Sequence, residues 1–598
     1  VNSVTFLGSS DADTLTVDHS GGLVGGGAGL DGGIDFQADA LIGAGGGDTL
    51  VITGDPGIAI ARETYLVGAT EDAGTWILDP NDNMGPGANA AADGDEMLVT
   101  FTGLEPADSD TAAAAFDLIM NAAGNRATIE NGGMLNGANA LQVTDDNATF
   151  ETTRFANKTT VRVMGNSRAD EFRIDYSIAA AGLTTLEIYG HVAPGVVGQP
   201  ADDDARDTFV LRQTVAATLS LLGDGGSDLF HNGGFGGFGG TFELASVNGT
   251  VNISGGTGDD DTLALTNSSG TAAVTATLTN TQLTGAAPAT INYNAIDTFF
   301  YGQTGTFDDL LDVLSTNATT NYIIHGFGGS DIFTIGNQTS DFNASVLDGS
   351  LDAILGDITI IPDSNVAGNN DVLNVDDSGT AALAGAADIS NVGLQTVTVS
   401  GATFTFTLSG DTTRLTNFAP ATIDYVHAAT TGNLAGQSVG NRLEFLNLRT
   451  SAGGDTITVN ATTATNTTTI DAREGNDQFT IAGDSLSANN VFLGNAGNDR
   501  FTLDILADLG ASAVFPLVSL EIHGNGPGGD SANRDELIIN DFDPAARNFG
   551  IDYQDSGLGD VNVTGYAVAV QARTWATVDL NGTGDDDVTV LGTSGDDD

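Results

Sequence analysis

Apolar and polar positions alternate along most of this chain in short runs, as in Asp455-Thr-Ile-Thr-Val-Asn and Gln478-Phe-Thr-Ile, and clusters of Gly, Asn and Asp break the runs apart. A two-residue period places every second side chain on one face, which predicts short half-buried β-strands. Thr and Val suit a pleated surface, and Gly, Asn and Asp suit corners where φ turns positive. Helical periodicity is weak; only Thr111-Ala-Ala-Ala-Ala-Phe-Asp-Leu-Ile reads as a helix.

The corners share a form: a glycine-rich turn ending in aspartate, followed at once by a strand. Copies include Ile42-Gly-Ala-Gly-Gly-Gly-Asp-Thr-Leu, Leu222-Gly-Asp-Gly-Gly-Ser-Asp-Leu-Phe and Leu493-Gly-Asn-Ala-Gly-Asn-Asp-Arg-Phe. From Asp455 to Asp477 is 22 residues, as are Asp477 to Asp499 and Asp309 to Asp331; Asp207 to Asp228 is 21. Longer steps separate Asp13 from Asp48 (35), Asp170 from Asp207 (37), Asp228 from Asp261 (33) and Asp499 from Asp535 (36). A basic step near 22 with excursions predicts an all-β fold: an elongated right-handed parallel β-helix (β-solenoid), with coils of about 22 residues or more and loop insertions. Larger blocks also recur. Asp170 and Asp499 stand 329 apart in matching surroundings, Asp207 and Asp535 stand 328 apart, and Ala287-Pro-Ala-Thr-Ile-Asn-Tyr matches Ala419-Pro-Ala-Thr-Ile-Asp-Tyr. Solenoids grow by copying blocks, because each coil needs only its neighbours.

Three regions follow: a solenoid start over 1–53, an irregular insertion or loop-rich coils over 54–149, and a solenoid with duplicated blocks over 150–598. The C-terminal Val588-Thr-Val-Leu-Gly-Thr-Ser-Gly resembles Val4-Thr-Phe-Leu-Gly-Ser-Ser, so continuation into a longer array or a next protomer is expected.

Charge narrows the function classes. With 79 acidic against 17 basic residues the formal charge is −62, which repels nucleic acid and anionic lipid. A hydrophobic content of 40% argues against disorder despite that charge. Cysteine is absent, so neither disulfides nor thiolate metal sites hold the fold. No apolar run approaches the ~20 residues of a membrane helix, so direct membrane insertion is not expected.

Gly255-Gly-Thr-Gly-Asp-Asp-Asp-Thr-Leu and Gly326-Phe-Gly-Gly-Ser-Asp-Ile-Phe resemble the glycine- and aspartate-rich nonapeptide of RTX (haemolysin-type) calcium-binding proteins. The ordered series Asp371-Val-Leu-Asn-Val-Asp-Asp-Ser-Gly, Ala419-Pro-Ala-Thr-Ile-Asp-Tyr, Leu443-Glu-Phe-Leu-Asn-Leu, Gly453-Gly-Asp-Thr-Ile-Thr-Val and Gly475-Asn-Asp-Gln-Phe-Thr-Ile is similar to modules of giant bacterial β-strand-repeat surface proteins. The resemblance covers most of 160–540. It implies an extracellular role in adhesion, coats or filaments, often calcium-stabilised. The motifs here stand singly rather than in nine-residue tandem, so a wider β-helix with calcium at only some corners is the expectation.

Coils stacked about 4.8 Å apart align Asp455, Asp477 and Asp499 in one column. At an effective dielectric near 20 two such charges repel by roughly 3–4 kcal/mol. Calcium relieves this by taking 6–8 oxygens from carboxylates and carbonyls. The candidate structural calcium ligands are Asp13, Asp48, Asp170, Asp207, Asp228, Asp259, Asp261, Asp309, Asp331, Asp371, Asp455, Asp477, Asp499 and Asp535. The competing reading is metal-free: turn Asp residues hydrogen-bond backbone groups.

Catalysis has little to stand on. Carboxylates are many, but arginine is sparse, Lys158 is the sole lysine, and the six histidines follow no motif. His325 and His523 precede Gly and read as surface turn residues. The expectation is therefore a non-catalytic, secreted or cell-surface structural protein, calcium-stabilised, that assembles end to end as a homopolymer, filament or coat. The alternatives are an adhesin that binds a partner or glycan through loop insertions, and a polysaccharide-active β-helix enzyme.

Overall fold

The structure is a computed structural model. It describes the chain except for residues 1–3, 24–32, 39–46, 55–59, 83–95, 193–204, 233–242, 337–347, 363–369, 401–404, 428–430, 433–442, 525–534, 543–547, 554–560, 583–586, 592–598 and isolated positions, among them 258 and 259. Among the described residues the regular elements are β-strands, apart from one 3-10 turn at Gly483–Ser485. The fold is a parallel β-solenoid, as the alternation and turn spacing predict. It divides into two compact units, one formed by residues 1–265, 287–298 and 401–404, the other by 266–286, 299–400 and 405–598.

In the first unit one sheet runs in parallel register through Ile60–Val67, Ala113–Ile119, Lys158–Met164, Thr185–Tyr189, Thr218–Leu222, Thr250–Ser254 and Thr290–Asn294. A second runs through Arg126–Leu135, Glu171–Asp175, Thr208–Gln213, Leu229–His231 and Thr262–Thr266. Alternation along each strand sends one set of side chains inward, and parallel register then stacks like on like. Phe172, Phe209 and Phe230 are register partners, and their rings stack at 5.3 and 4.7 Å. Buried aromatic pairs of this kind add to the area they bury.

Residues 54–149, expected as an irregular insertion or loop-rich coils, contribute coil strands in register with their neighbours. Among the described residues seven strands, from Ile60–Val67 to Ala138–Asp145, lie there and are built into the two sheets. The extra length is absorbed as antiparallel strands: Ala73–Asp79 lies between Ile60–Val67 and Met97–Thr102, and Ala138–Asp145 between Arg126–Leu135 and Thr153–Phe155. A hairpin returns the chain to the same sheet with its backbone groups paired, where a long loop would leave them to solvent. The alanine-rich helix is corrected. Ala113–Ile119 is a strand with parallel partners on both sides, and the inward packing of Phe116 and Leu118 overrides alanine's helical preference.

The second unit repeats the plan. One sheet runs through Thr275–Leu278, Leu310–Val313, Ile332–Ile335, Val372–Asp376, Phe445–Arg449, Thr467–Asp471, Ala488–Leu493 and Leu517–His523. The other contains Thr456–Val459, Gln478–Ala482, Arg500–Ile505, Glu536–Asp541 and Thr577–Gly582. Phe479 and Phe501 stack at 4.2 Å, with Trp575 edge-on to Phe501 at 5.3 Å. A long hairpin, Ala387–Ser400 with Thr405–Thr416, is the excursion between Asp371 and Asp455.

Candidate functional site: aspartate ladders at the turns

Each turn aspartate sits one residue before its strand, so parallel register brings successive aspartates over one another. In the first unit the backbone N–H of Asp170 donates to Oδ1 of Asp207 at 2.7 Å, Asp207 to Asp228 at 2.8 Å, and Asp228 to Asp261 at 2.8 Å. Asn125 N–H donates to Asp170 at 2.6 Å, and Asp261 N–H donates to Asp297 at 2.9 Å. A separate pair joins Asp13 N–H to Asp48 at 2.6 Å.

The second unit carries two ladders, on the leading edges of different sheets. One runs Asp309, Asp331, Asp371, Glu444, each N–H donating to the next carboxylate at 2.9 Å. The other runs Asp455, Asp477, Asp499, Asp535 at 2.7, 2.9 and 2.9 Å. Beside this last ladder lies a shallow groove of about 710 Å³, lined by the turn backbone of Gly454, Gly475 and Gly497 with Glu474 and Asn476.

Of the fourteen predicted ligands, Asp48, Asp170, Asp207, Asp228, Asp261, Asp309, Asp331, Asp371, Asp455, Asp477, Asp499 and Asp535 are buried, each no more than 3% exposed. Asp13 is half-buried, and Asp259 lies outside the described residues. Sequence reasoning missed two rungs, Asp297 and Glu444. Asp297 follows Asp261 by 36 residues, a step already seen elsewhere, but no glycine turn precedes it. Glu444 places its longer carboxylate where the pattern leads one to look for Asp.

The two carboxylate oxygens have different surroundings. Except at Asp297, where Oδ2 takes the rung N–H, Oδ1 of the ladder aspartates accepts the N–H of the preceding rung. Oδ2 lies against the turn, accepting from Asn166 N–H in Asp170 and from Thr304 N–H in Asp309. A Cβ added at Gly494 would sit 2.3 Å from Asp499 Oδ2, and one at Gly223 would sit 2.1 Å from Asp228 Oδ2, so the motif glycines make room for a carboxylate. Gly497, at φ 153°, is excluded from bearing a side chain by its neighbouring coil, since a Cβ would meet the Gly475 carbonyl oxygen at 1.3 Å. The Oδ2 atoms of Asp228, Asp331, Asp477, Asp499 and Asp535 are buried without a hydrogen-bond partner.

Burial with one oxygen unsatisfied penalises the anion. Burial, reinforced by the carboxylates of neighbouring rungs, pushes Asp228 and Asp477 up to about 8 and Asp331 up to about 9. Asp261 and Asp499 rise to about 6, and Asp309 and Asp535 are also raised, burial leading in each case. Asp13 behaves oppositely: hydrogen bonds from Ser9 hold it below the usual carboxylate range.

N–H donation from rung to rung offsets part of the stacked charge, and burial favours the protonated form of Asp228, Asp331 and Asp477. Among the described residues no three His, Cys, Asp or Glu side chains converge as a ready metal cluster. The donor chemistry nevertheless suits calcium in part. The orphaned, buried oxygens of Asp228, Asp331 and Asp499 lie beside motif glycines, and Asp224, Asp260 and Asp308 lie close enough to raise Asp228, Asp261 and Asp309 electrostatically.

His325 is corrected by its position: it is 1% exposed, its ring Nδ1 accepts the N–H of Phe327 at 2.9 Å, and burial lowers it to about 3. A packing role replaces the surface turn expected of it. His523 is half-buried beside Glu521 at 3.3 Å. No family model and no curated protein matches this chain.

Proposed function

We propose that this chain is a non-catalytic structural module of an extracellular filament or coat, akin to the β-strand-repeat surface proteins it resembles, with calcium reinforcing its turns and copies joining end to end. One observation carries the reading: a recurring set of buried aspartates acts as periodic pegs between coils, each tied to the backbone N–H of the preceding rung. Carboxylates used this way serve continuity along the coil axis. Calcium would be held by the free oxygens of ladder carboxylates such as Asp228 and Asp331, by the adjacent Asp224 and Asp308, and by glycine carbonyls of the same turns; when bound it supplies charge neutralisation and cross-linking between coils.

The test is a thermal melt followed by circular dichroism at pH 8, with calcium and with chelator, together with light scattering across the same calcium series. The proposal expects a higher melting temperature and larger particles with calcium. An unchanged melt would remove calcium from it, and a strictly monomeric chain at every calcium concentration would remove the filament.

A further inference from the structure

Lys158, the only lysine in the chain, is wholly inside the first unit: its side chain is 1% exposed and that of its partner Glu63 is 0% exposed. Its Nζ is in contact with Glu63 Oε2 and also donates to Ser109 Oγ at 2.9 Å and to the Thr111 carbonyl at 2.6 Å. The other carboxylate oxygen, Oε1, accepts the indole N–H of Trp76 at 2.7 Å. Aromatic rings close the site. Phe116 lies 5.9 Å from Nζ, and Trp76 stacks on Tyr65 at 5.1 Å and on Phe116 at 5.6 Å.

Three features make this contact more than an ordinary ion pair. Surface amines stay ionised because water solvates the ammonium; here that solvation is absent, so the ammonium loses much of its advantage over the free amine. Burial accordingly pulls the lysine down from its usual range, with Glu63 opposing. The nucleophile and the electrophile are also held together by packing, which replaces a bimolecular encounter with an intramolecular one. Finally, the Trp76 donor is aimed at the oxygen on which charge develops if the carboxyl carbon is attacked.

We infer that Lys158 and Glu63 condense into an intramolecular isopeptide bond, a covalent strut inside the first unit. The ammonium first returns one proton to Oε2 across the existing contact, leaving an amine and a carboxylic acid. The nitrogen lone pair then attacks the Glu63 carboxyl carbon while Trp76 N–H holds Oε1. A second nitrogen proton passes to the Oε2 hydroxyl, the carbon–Oε2 bond breaks, and one water departs. One carbon–nitrogen bond forms, one carbon–oxygen bond breaks, and no oxidant or co-reactant is required. The remaining amide N–H can donate to the Thr111 carbonyl.

The bond would tie strand Ile60–Val67 to strand Lys158–Met164 across the intervening strand Ala113–Ile119, whose Phe116 lies in register with Glu63. It would make the hairpin-bearing part of the first unit resist unravelling by force or protease, independently of calcium.

Intact-mass spectrometry on the purified full-length chain, shown to be folded by circular dichroism, decides the matter. The expected mass is lower than that of the sequence by one water, and digestion yields a branched peptide containing positions 63 and 158. Glu63→Ala is expected to have the full mass of its own sequence. A folded wild-type chain at full sequence mass overturns the inference, and so does a water loss that maps elsewhere, such as to a succinimide at an Asp-Gly step. The wild-type measurement is sufficient even if the variant fails to fold.

Discussion

The coils over 455–541 and the hairpin-bearing segment over 60–164 solve the same problem in different ways. In the first, every turn aspartate feeds the next coil, and the inward residues Ile457, Phe479, Ile481, Phe501 and Leu503 are all apolar. The rung N–H groups are satisfied by repetition, one rung at a time, while Oδ2 of Asp477, Asp499 and Asp535 stays without a hydrogen-bond partner. In the second, antiparallel strands lengthen the circuit, and the interior admits Glu63, Lys158, Ser109 and Thr111 alongside Tyr65, Trp76, Phe116 and Phe155. A regular coil can meet its polar needs through the backbone. An irregular one gathers charges inside and must neutralise them pairwise, at greater risk if either partner is lost.

The largest effect that would test this contrast is at the buried pair. Lys158→Met alone leaves the Glu63 carboxylate buried with neither a cation nor the amide inferred above, and is expected to cost at least about 3–5 kcal/mol in a denaturant melt. Adding Glu63→Gln, which keeps an acceptor for Trp76, should recover the electrostatic part of that loss. If the single variant melts like wild type, the pair is not a structural dependence of the segment. In the regular coils, Asp499→Ala removes the acceptor of the Asp477 N–H and should cost about 1–3 kcal/mol. Asp499→Asn keeps that acceptor and should cost less; equal losses would show that the ladder bond contributes little.

What could be read from the sequence follows the same divide. Strands, turn aspartates and their stacking were legible because a fixed step of 22 residues leaves one register open, and register alone brings Asp455, Asp477 and Asp499 together. The hairpins were not legible, since nothing local in Ala73–Asp79 or Ala138–Asp145 marks a strand as antiparallel. Lys158 and Glu63 are 95 residues apart, with no pattern linking them. The unpartnered oxygens of Asp228, Asp331, Asp477, Asp499 and Asp535 were equally hidden, because the motif shows an Asp but not which of its oxygens the backbone takes.

Acidity supplies a smaller and graded test. Asp228, Asp331 and Asp477 are held above the ordinary carboxylate range in the folded chain, so the folded state keeps protons that the unfolded state releases near pH 4. Their contribution is then fully present below about pH 4 and is lost as pH rises through 8 to 9. In calcium-free buffer the melting temperature of the wild type should fall across that window, against a background in which whole-chain repulsion at −62 acts in the same direction. Asp477→Asn separates the two, because it changes overall charge by only one while deleting the local titration. Its melting temperature relative to wild type should rise from pH 5 and level off above about pH 8. A difference that stays constant with pH would place the slope in the general charge of the molecule and take the ladder out of it. As the smallest effect, Thr480→Ser on the exposed face of the same strand should stay within about 0.5 kcal/mol of wild type at every pH, since it touches neither core nor ladder.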